Sequence, residues 1–495
     1  MRKPRHTLLV GIVIFFTLLG FGAPQKEKPV AKPRPLEDIQ DILAWKSIRS
    51  ATISDNGRWF AYRLAPQEGN GEVIIRELRT EEEYRFPAGE AQGFGRDIAF
   101  SKDGKWVAFT VYPEREDARK LKKQRKKPRN SVVLVNLASG EKQTFEKINR
   151  YAFSGEAATW IALHRYPPEA SRPSGPPSQE SGEDRWRGSD LILHELATGS
   201  ELNIGNVAEF AFDKHGRWLA WVVDAREQVG NGIQLRDMKT GVIHPLDHDR
   251  AVYRRLRWTE EGEGLAVLKG RKHEDYEEKL YTVVGFRRFS ANGPEKIVYD
   301  PSEDESFPAD MTISPNRSPE WTENLEAILF GIHEAKRKEK REGEEAKKEQ
   351  KQKDGKAPEK KTGASRETPQ EEKDIDKEDL PDLVIWHWKD KRLQSMQQVQ
   401  EQRDKNFSFL SLYRVKDKKF LRLADETVRD VTPAPKHRWA IGLDNQPYEW
   451  LGNLDGRRYR DVYVIDLETG KRRLALKKCR WYFGPSPDGT HFLYY

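Results

Sequence analysis

An all-β fold, a β-propeller of four-stranded antiparallel blades, is what this 495-residue sequence predicts, and two repeated signatures predict it. The first is a strand, a tight turn of the form Ser-x-Asp-Gly, and a second strand, seen most plainly from Ile98 through Ser101, Asp103, Gly104 and Trp106 to Phe109. Its turn positions Ser54, Ser101, Ser154, Asp213, Thr259 and Ser314 stand 46 to 59 residues apart. The second signature is a strand, Leu-x-[Ser/Thr]-Gly, and another strand. It runs out of phase with the first, with turns at Ala138-Ser139-Gly140, Ala197-Thr198-Gly199, Lys239-Thr240-Gly241 and Glu468-Thr469-Gly470. Two hairpins in each period of about 50 residues make one four-stranded blade. Unrelated hairpins in a sandwich do not explain two signatures kept in step.

The elements follow in order. Residues 1–23 read as a signal peptide: Arg2, Lys3 and Arg5 form a basic start, residues 8–21 are almost wholly apolar, and Gly20 and Gly22 supply small residues for cleavage. That run is short for a membrane span, which needs roughly 20 apolar residues. Export to the periplasm or the extracellular space is the expected localisation, with no membrane span after cleavage. Residues 24–35 are a Lys/Pro-rich tether, and residues 36–45 a short helix leading into the blades of residues 36–334.

Each hairpin rests on turn chemistry, because Gly accepts positive φ without a Cβ clash. The copies at Ser54-Asp55-Asn56-Gly57 and Asp213-Lys214-His215-Gly216 are clear, whereas those at residues 151–163, 256–268 and 428–443 are weaker. Another copy starts at Met311 and turns at Ser314-Pro315-Asn316, and the last turns at Ser486-Pro487-Asp488-Gly489. Seven nearly complete blades and the start of an eighth are therefore expected.

Three insertions interrupt the repeat. Residues 113–130 carry nine Lys and Arg with no interleaved aromatic residue for stacking on bases. They read as a long solvated hairpin tip, and no nucleic-acid partner is expected. Residues 167–188 are a loop rich in Pro, Ser and Gly. Residues 335–379, mostly Lys and Glu, cannot repay the entropy of ordering and are expected to be disordered. Blades resume over residues 380–495, beginning with an alternating strand at residues 383–388. His387 lies in it between Trp386 and Trp388 and reads as the solvent side of the strand.

Charged residues make up 34% of the chain, and the net charge of +7 comes largely from runs outside the strands. The sole cysteine, Cys479, forbids an internal disulfide and reads as a buried strand residue. With one cysteine and no HExxH motif, a mononuclear zinc site is not expected. There is no P-loop, GxGxxG or Gly-x-Ser-x-Gly elbow. Gly484-Pro485-Ser486-Pro487-Asp488 comes nearest, but it is explained as a blade turn. Glu260-Glu261 and Glu371-Glu372 lack a context for acid–base work. No catalytic, cofactor-binding or metal residue is nominated, and no cofactor is expected.

The exported blades, together with Asp382-Leu383-Val384-Ile385-Trp386-His387-Trp388 and the segments at residues 425–431, 460–463 and 480–495, resemble the amino-terminal propeller of the prolyl oligopeptidase family of serine peptidases. The resemblance is to the large exported bacterial members and covers nearly the whole chain after the signal. It implies a propeller that gates peptide substrates over a carboxy-terminal α/β-hydrolase domain with a Ser-Asp-His triad. No triad position matches in this sequence. Tyr495 stands inside a strand, leaving an edge that further strands would cover. The sequence is therefore expected to be truncated before the hydrolase domain and inactive alone. The alternatives are a stand-alone periplasmic binding or scaffold propeller, and a propeller enzyme with a site in its central channel.

Overall fold

The computed structural model describes residues 39–91, 97–124, 126–168, 187–290, 293–338, 387, 390 and 392–495. The expected signal peptide, the tether, most of the Lys/Glu-rich insertion and the strand around Trp386 lie outside the described residues. A short helix, Ile39–Leu43, precedes the first strand, as expected.

Antiparallel strands make up nearly all of the regular structure among the described residues, arranged in successive units. The first unit is β1 (Lys46–Ile53), β2 (Trp59–Pro66), β3 (Gly71–Glu77) and β4 (Glu83–Gly89), paired in that order. The second is β5 (Ile98–Phe100), β6 (Trp106–Val111), β7 (Ser131–Asn136) and β8 (Lys142–Phe145). Next comes one continuous seven-stranded sheet: β9 (Ile148–Phe153), β10 (Trp160–Arg165), β11 (Ser189–Glu195), β12 (Glu201–Phe212), β13 (Trp218–Val223), β14 (Gly232–Asp237) and β15 (Ile243–His248). It holds the third and fourth units, fused because β12 pairs with β11 through its first half and with β13 through its second. Asn206, at φ 57°, sits at the junction, and the register of both pairings shifts beside it.

The fifth unit is β16 (Val252–Trp258), β17 (Gly264–Lys272), β18 (Lys279–Arg287) and β19 (Glu295–Tyr299). The sixth has a first strand broken into β20 (Met311–Ile313) and β21 (Glu320–Trp321), both paired with β22 (Ala327–Glu334), followed by β23 (Phe409–Arg414) and β24 (Lys419–Arg422). The seventh is β25 (Asp430–Pro433), β26 (Trp439–Asp444), β27 (Arg460–Asp466) and β28 (Arg472–Cys479). The hairpin β29 (Tyr482–Pro485) and β30 (Phe492–Tyr494) follows.

The units pack face to face in chain order. Each hydrophobic cluster spans neighbouring units, as where Val107 and Phe109 of the second meet Trp59, Val73 and Ile75 of the first. First strands approach each other, β1 with β5, β9 with β12, β12 with β16, and β16 with β21, whereas fourth strands make no comparable approach. Sheets that converge along one edge and splay along the other form a propeller-like array.

The turns of the first signature share one hydrogen-bond device. Ser101 Oγ accepts from the Trp106 N–H at 3.0 Å and donates to Asp103 Oδ1 at 2.6 Å, and that oxygen accepts from the Lys105 N–H at 3.1 Å. The same closure recurs with Ser54 and Trp59 at 2.9 Å, Asp213 and Trp218 at 2.6 Å, Thr259 and Gly264 at 3.0 Å, and Ser486 and His491 at 3.0 Å. Neighbouring turns also touch. The Glu156 N–H donates to the Lys214 carbonyl at 2.8 Å, and a Cβ on Gly216 would lie 2.1 Å from the Ser154 carbonyl oxygen.

Two expectations change. In the sixth unit the turn lies at Thr322, not at Ser314. Thr322 Oγ1 accepts from the Ala327 N–H at 3.0 Å, and Leu325 takes the positive φ, 57°, that Gly takes elsewhere. Pro315 and Pro319 instead fall in the break between β20 and β21. Second, the basic insertion is not a plain hairpin tip. Arg115–Lys123 forms a helix with no buried residue, acidic Glu116 and Asp117 in its first turn and three lysines in its last, an order that complements the helix dipole. Residues 335–338, placed in the disordered insertion by sequence, extend the fold past β22: Ala335, Lys336 and Lys338 donate backbone hydrogen bonds to Asp310, Glu278 and Asp275.

Ser101→Ala leaves the Trp106 N–H without its acceptor in a buried turn and is expected to cost about 1–3 kcal/mol. Lys102→Ala, one residue on and exposed, is expected to leave the melting temperature unchanged. Thermal and urea unfolding of the two variants check this.

Candidate functional site

Two hydroxyls among the described residues lie within hydrogen-bond distance of a histidine ring nitrogen: Thr490 Oγ1, exposed and 2.7 Å from the adjacent His491 Nδ1 in the last turn, and a buried serine. Ser189 Oγ, at the start of β11, lies 2.9 Å from His164 Nε2 on β10. The remaining contacts assign the pair to structure. His164 Nε2 is 2.7 Å from the Val207 carbonyl, an acceptor only, so that nitrogen carries the proton and donates it there. Ser189 Oγ donates to the Arg165 carbonyl at 2.7 Å. Nε2 therefore has no lone pair to take a proton from Ser189. Both side chains are buried, and together they tie β10 and β11 to the β12 junction. Burial pushes the His164 pKa below its ordinary value, Arg150 pushes the same way, and the bond to Val207 opposes them. His164 occupies the fourth position after Trp160, as Arg63 does after Trp59, a correspondence that the repeat displays.

The other residues singled out in the sequence fall apart in space. Ser486 donates to Asp488 and accepts from the His491 N–H, so its hydroxyl is used within its own turn. Cys479 is buried at the end of β28 beside Ile441 and Val462, with its thiol donating to the Trp481 carbonyl at 3.4 Å. His387 is exposed, and its N–H donates to Asp390. Glu261 pairs with Lys214 at 2.9 Å across adjoining turns, Glu260 lies in the same turn, and Glu371 and Glu372 lie outside the described residues. No group of three or more His, Cys, Asp or Glu among the described residues has the arrangement of a metal site. No described helix is long and apolar enough to cross a membrane.

What the fold does assemble is a pocket of about 460 Å³ where the first strands of the fifth, sixth and seventh units converge. Arg257 enters from β16, Arg317 and Glu320 from the broken first strand of the sixth unit, and Arg429 and Asp430 from the start of β25. Arg403 and Asn406 come from the end of the helix Gln394–Lys405, and Phe407 and Leu410 form part of the apolar wall. Four arginines thus face two carboxylates. Arg257 is engaged by Glu320 at 2.9 Å. The Arg429 guanidinium lies over the Phe407 ring, 4.3 Å from its centroid.

Arg317 differs from both. It is half-buried, and its guanidinium has no hydrogen-bond or ion-pair partner among the described residues. Burial pushes its pKa below the usual arginine value, and the charges of Asp430 and Glu320 only partly offset that. The sequence reading did not find this pocket. Its arginines are spread over more than a hundred residues, and nothing in their local sequence marks them.

No family model and no curated protein matches the sequence. Among solved structures the chain is similar to a eukaryotic initiation factor, at 11% identity over 89% of this chain and 80% of that one, with a TM-score of 0.41. It is similar to the tricorn protease at 12% identity over 90% of this chain, TM-score 0.34, and to a prolyl endopeptidase at 11% identity over 88%, TM-score 0.35. The match spans only 35% of the tricorn protease chain and half of the prolyl endopeptidase chain. Likenesses this distant assign no activity. The architecture rests on the sheets themselves.

The lowered pKa of His164 gives stability a pH dependence of defined sign. The unfolded chain takes up a proton near pH 6.5, and the folded chain only at lower pH. Stability is therefore full above that value and declines as the pH falls below it. Urea unfolding at pH 7.5 and 5.5 is expected to show a larger loss for the native chain than for His164→Gln.

Proposed function

We propose that this chain is the substrate-gating propeller of an exported serine peptidase of the prolyl oligopeptidase family. The observation that carries this reading is the propeller-like array itself: convergent first strands leave a pocket at their meeting edge, while the Ser189–His164 contact is committed to structure. Three of the sequence segments that resemble the family, residues 425–431, 460–463 and 480–495, fall in the seventh unit and the following hairpin. A peptidase domain working with this chain would supply the nucleophile, base and oxyanion donors, and the propeller would admit short or unfolded peptides. The arginine-lined pocket also suits a second reading, a periplasmic propeller that binds a partner and does no chemistry.

Two measurements test the proposal, and the second also separates the two readings. The purified 495-residue chain is expected to hydrolyse no peptide substrate, and turnover blocked by a serine-directed phosphonate would overturn that. The coding sequence beyond the Tyr495 codon is expected to specify a Gly-x-Ser-x-Gly elbow followed by Asp and His. A stop codon followed by unrelated sequence would replace the peptidase reading with the binding propeller.

A further inference from the structure

The pocket between the fifth, sixth and seventh units combines excess positive charge with a guanidinium, that of Arg317, that is bonded to no protein group among the described residues. An arginine offers five N–H groups in a planar fork that matches the two oxygens of a carboxylate or two oxygens of a phosphate. Arg317 presents that fork from a partly desolvated position with nothing to receive it. Arg257 and Arg429 are held nearby, one by Glu320 and the other by stacking on Phe407. Stacking occupies the face of a guanidinium and leaves its edge donors available.

The walls narrow the choice of anion. Leu329, Phe407, Leu410 and Pro433 line the pocket beside the arginines. Such surface suits the carbon skeleton of an organic acid and offers nothing to bare phosphate. Glu320 and Asp430 give acceptors for peptide N–H groups on the same wall. The volume, about 460 Å³, is within the range of small-ligand sites, roughly 300–1,000 Å³.

We infer that this pocket is an oxyanion-binding site for a carboxylate-bearing peptide segment, with Arg317 as its primary contact and Arg257 and Arg429 as flanking donors. The site depends on the pocket alone and does not require the peptidase reading, so either can fail without the other.

Calorimetric titration of the full chain at low ionic strength with a glutamyl-glutamate dipeptide, its fully amidated form and inorganic phosphate tests it. The dipeptide is expected to bind and the amide not to. Arg317→Gln is expected to weaken the dipeptide about tenfold or more, the scale of a lost charge-assisted pair. Arg119→Gln, on the exposed basic helix, is expected to change nothing. Asp430→Asn removes a negative charge from the pocket wall and is expected to tighten binding about threefold, which guards against a loss caused only by misfolding. Absence of binding, or binding unmoved by both pocket variants, overturns the site. Phosphate binding more tightly than the dipeptide overturns the carboxylate assignment in favour of a free inorganic anion.

Discussion

Most hairpins at the converging edge depend on a side-chain oxygen that closes its own turn, the seventh unit with Ala434 at that position being the exception. In a two-stranded connection the first N–H of the returning strand points inward, away from water. Left unbonded, it would cost as much as several favourable contacts return. Ser54, Ser101 and Thr322 are all buried and all receive such an N–H. The bond also fixes where the next residue begins its strand. In the first and fourth units that residue is a tryptophan, Trp59 and Trp218, buried between sheets. One local hydrogen bond thus sets the register of a hairpin and delivers a large apolar side chain to the face that packs against the next unit. Because neighbouring turns touch, as Glu156 does Lys214, the same device also sets the spacing between units.

This is why so much of the fold was legible. Ser, Asp and Gly at fixed offsets are demanded by turn geometry, so they recur in sequence wherever the turn recurs in space. The reading failed where another residue met the same geometric demand. Leu325 adopts positive φ in the sixth unit, so a motif defined by Gly passed over it and settled on Ser314, directly after the apolar strand β20. Asn206 bends β12 within a single strand, which fused two units that the spacing treated as separate. The second signature was found through its Thr-Gly or Ser-Gly pair. The structure shows an earlier participant as well: Asn136, Asp237 and Asp466 each accept two successive backbone N–H groups at the head of that turn.

The pocket was not legible for the opposite reason. Arg257, Arg317, Arg403 and Arg429 satisfy no local backbone requirement, and their proximity follows from the convergence of strands distant in sequence. Periodicity and turn chemistry report what the chain must do near itself. They are silent about which positions on successive first strands come to face one another.

Two buried or half-buried arginines show how to tell a structural cation from one kept for a ligand. Arg63 on β2 is fully enclosed. Its Nε and one terminal nitrogen reach Asp97 Oδ2 at 2.8 and 2.6 Å, and its other bonds go to the Ala88 and Thr110 carbonyls at 3.0 and 2.6 Å. Those partners belong to the first and second units, so its charge is spent in holding them together. An arrangement of this kind is fragile to loss of one partner, since the other charge is then stranded. Arg317, at the junction of the fifth, sixth and seventh units, makes no such bonds among the described residues, and the charges of Asp430 and Glu320 only partly offset its burial. The packing there is made by Leu329, Leu410 and the pairing of β22 with β23, with the Arg317 Cβ close against Gly331. Arg63 has its donors bonded within the fold, whereas those of Arg317 stay open to the pocket.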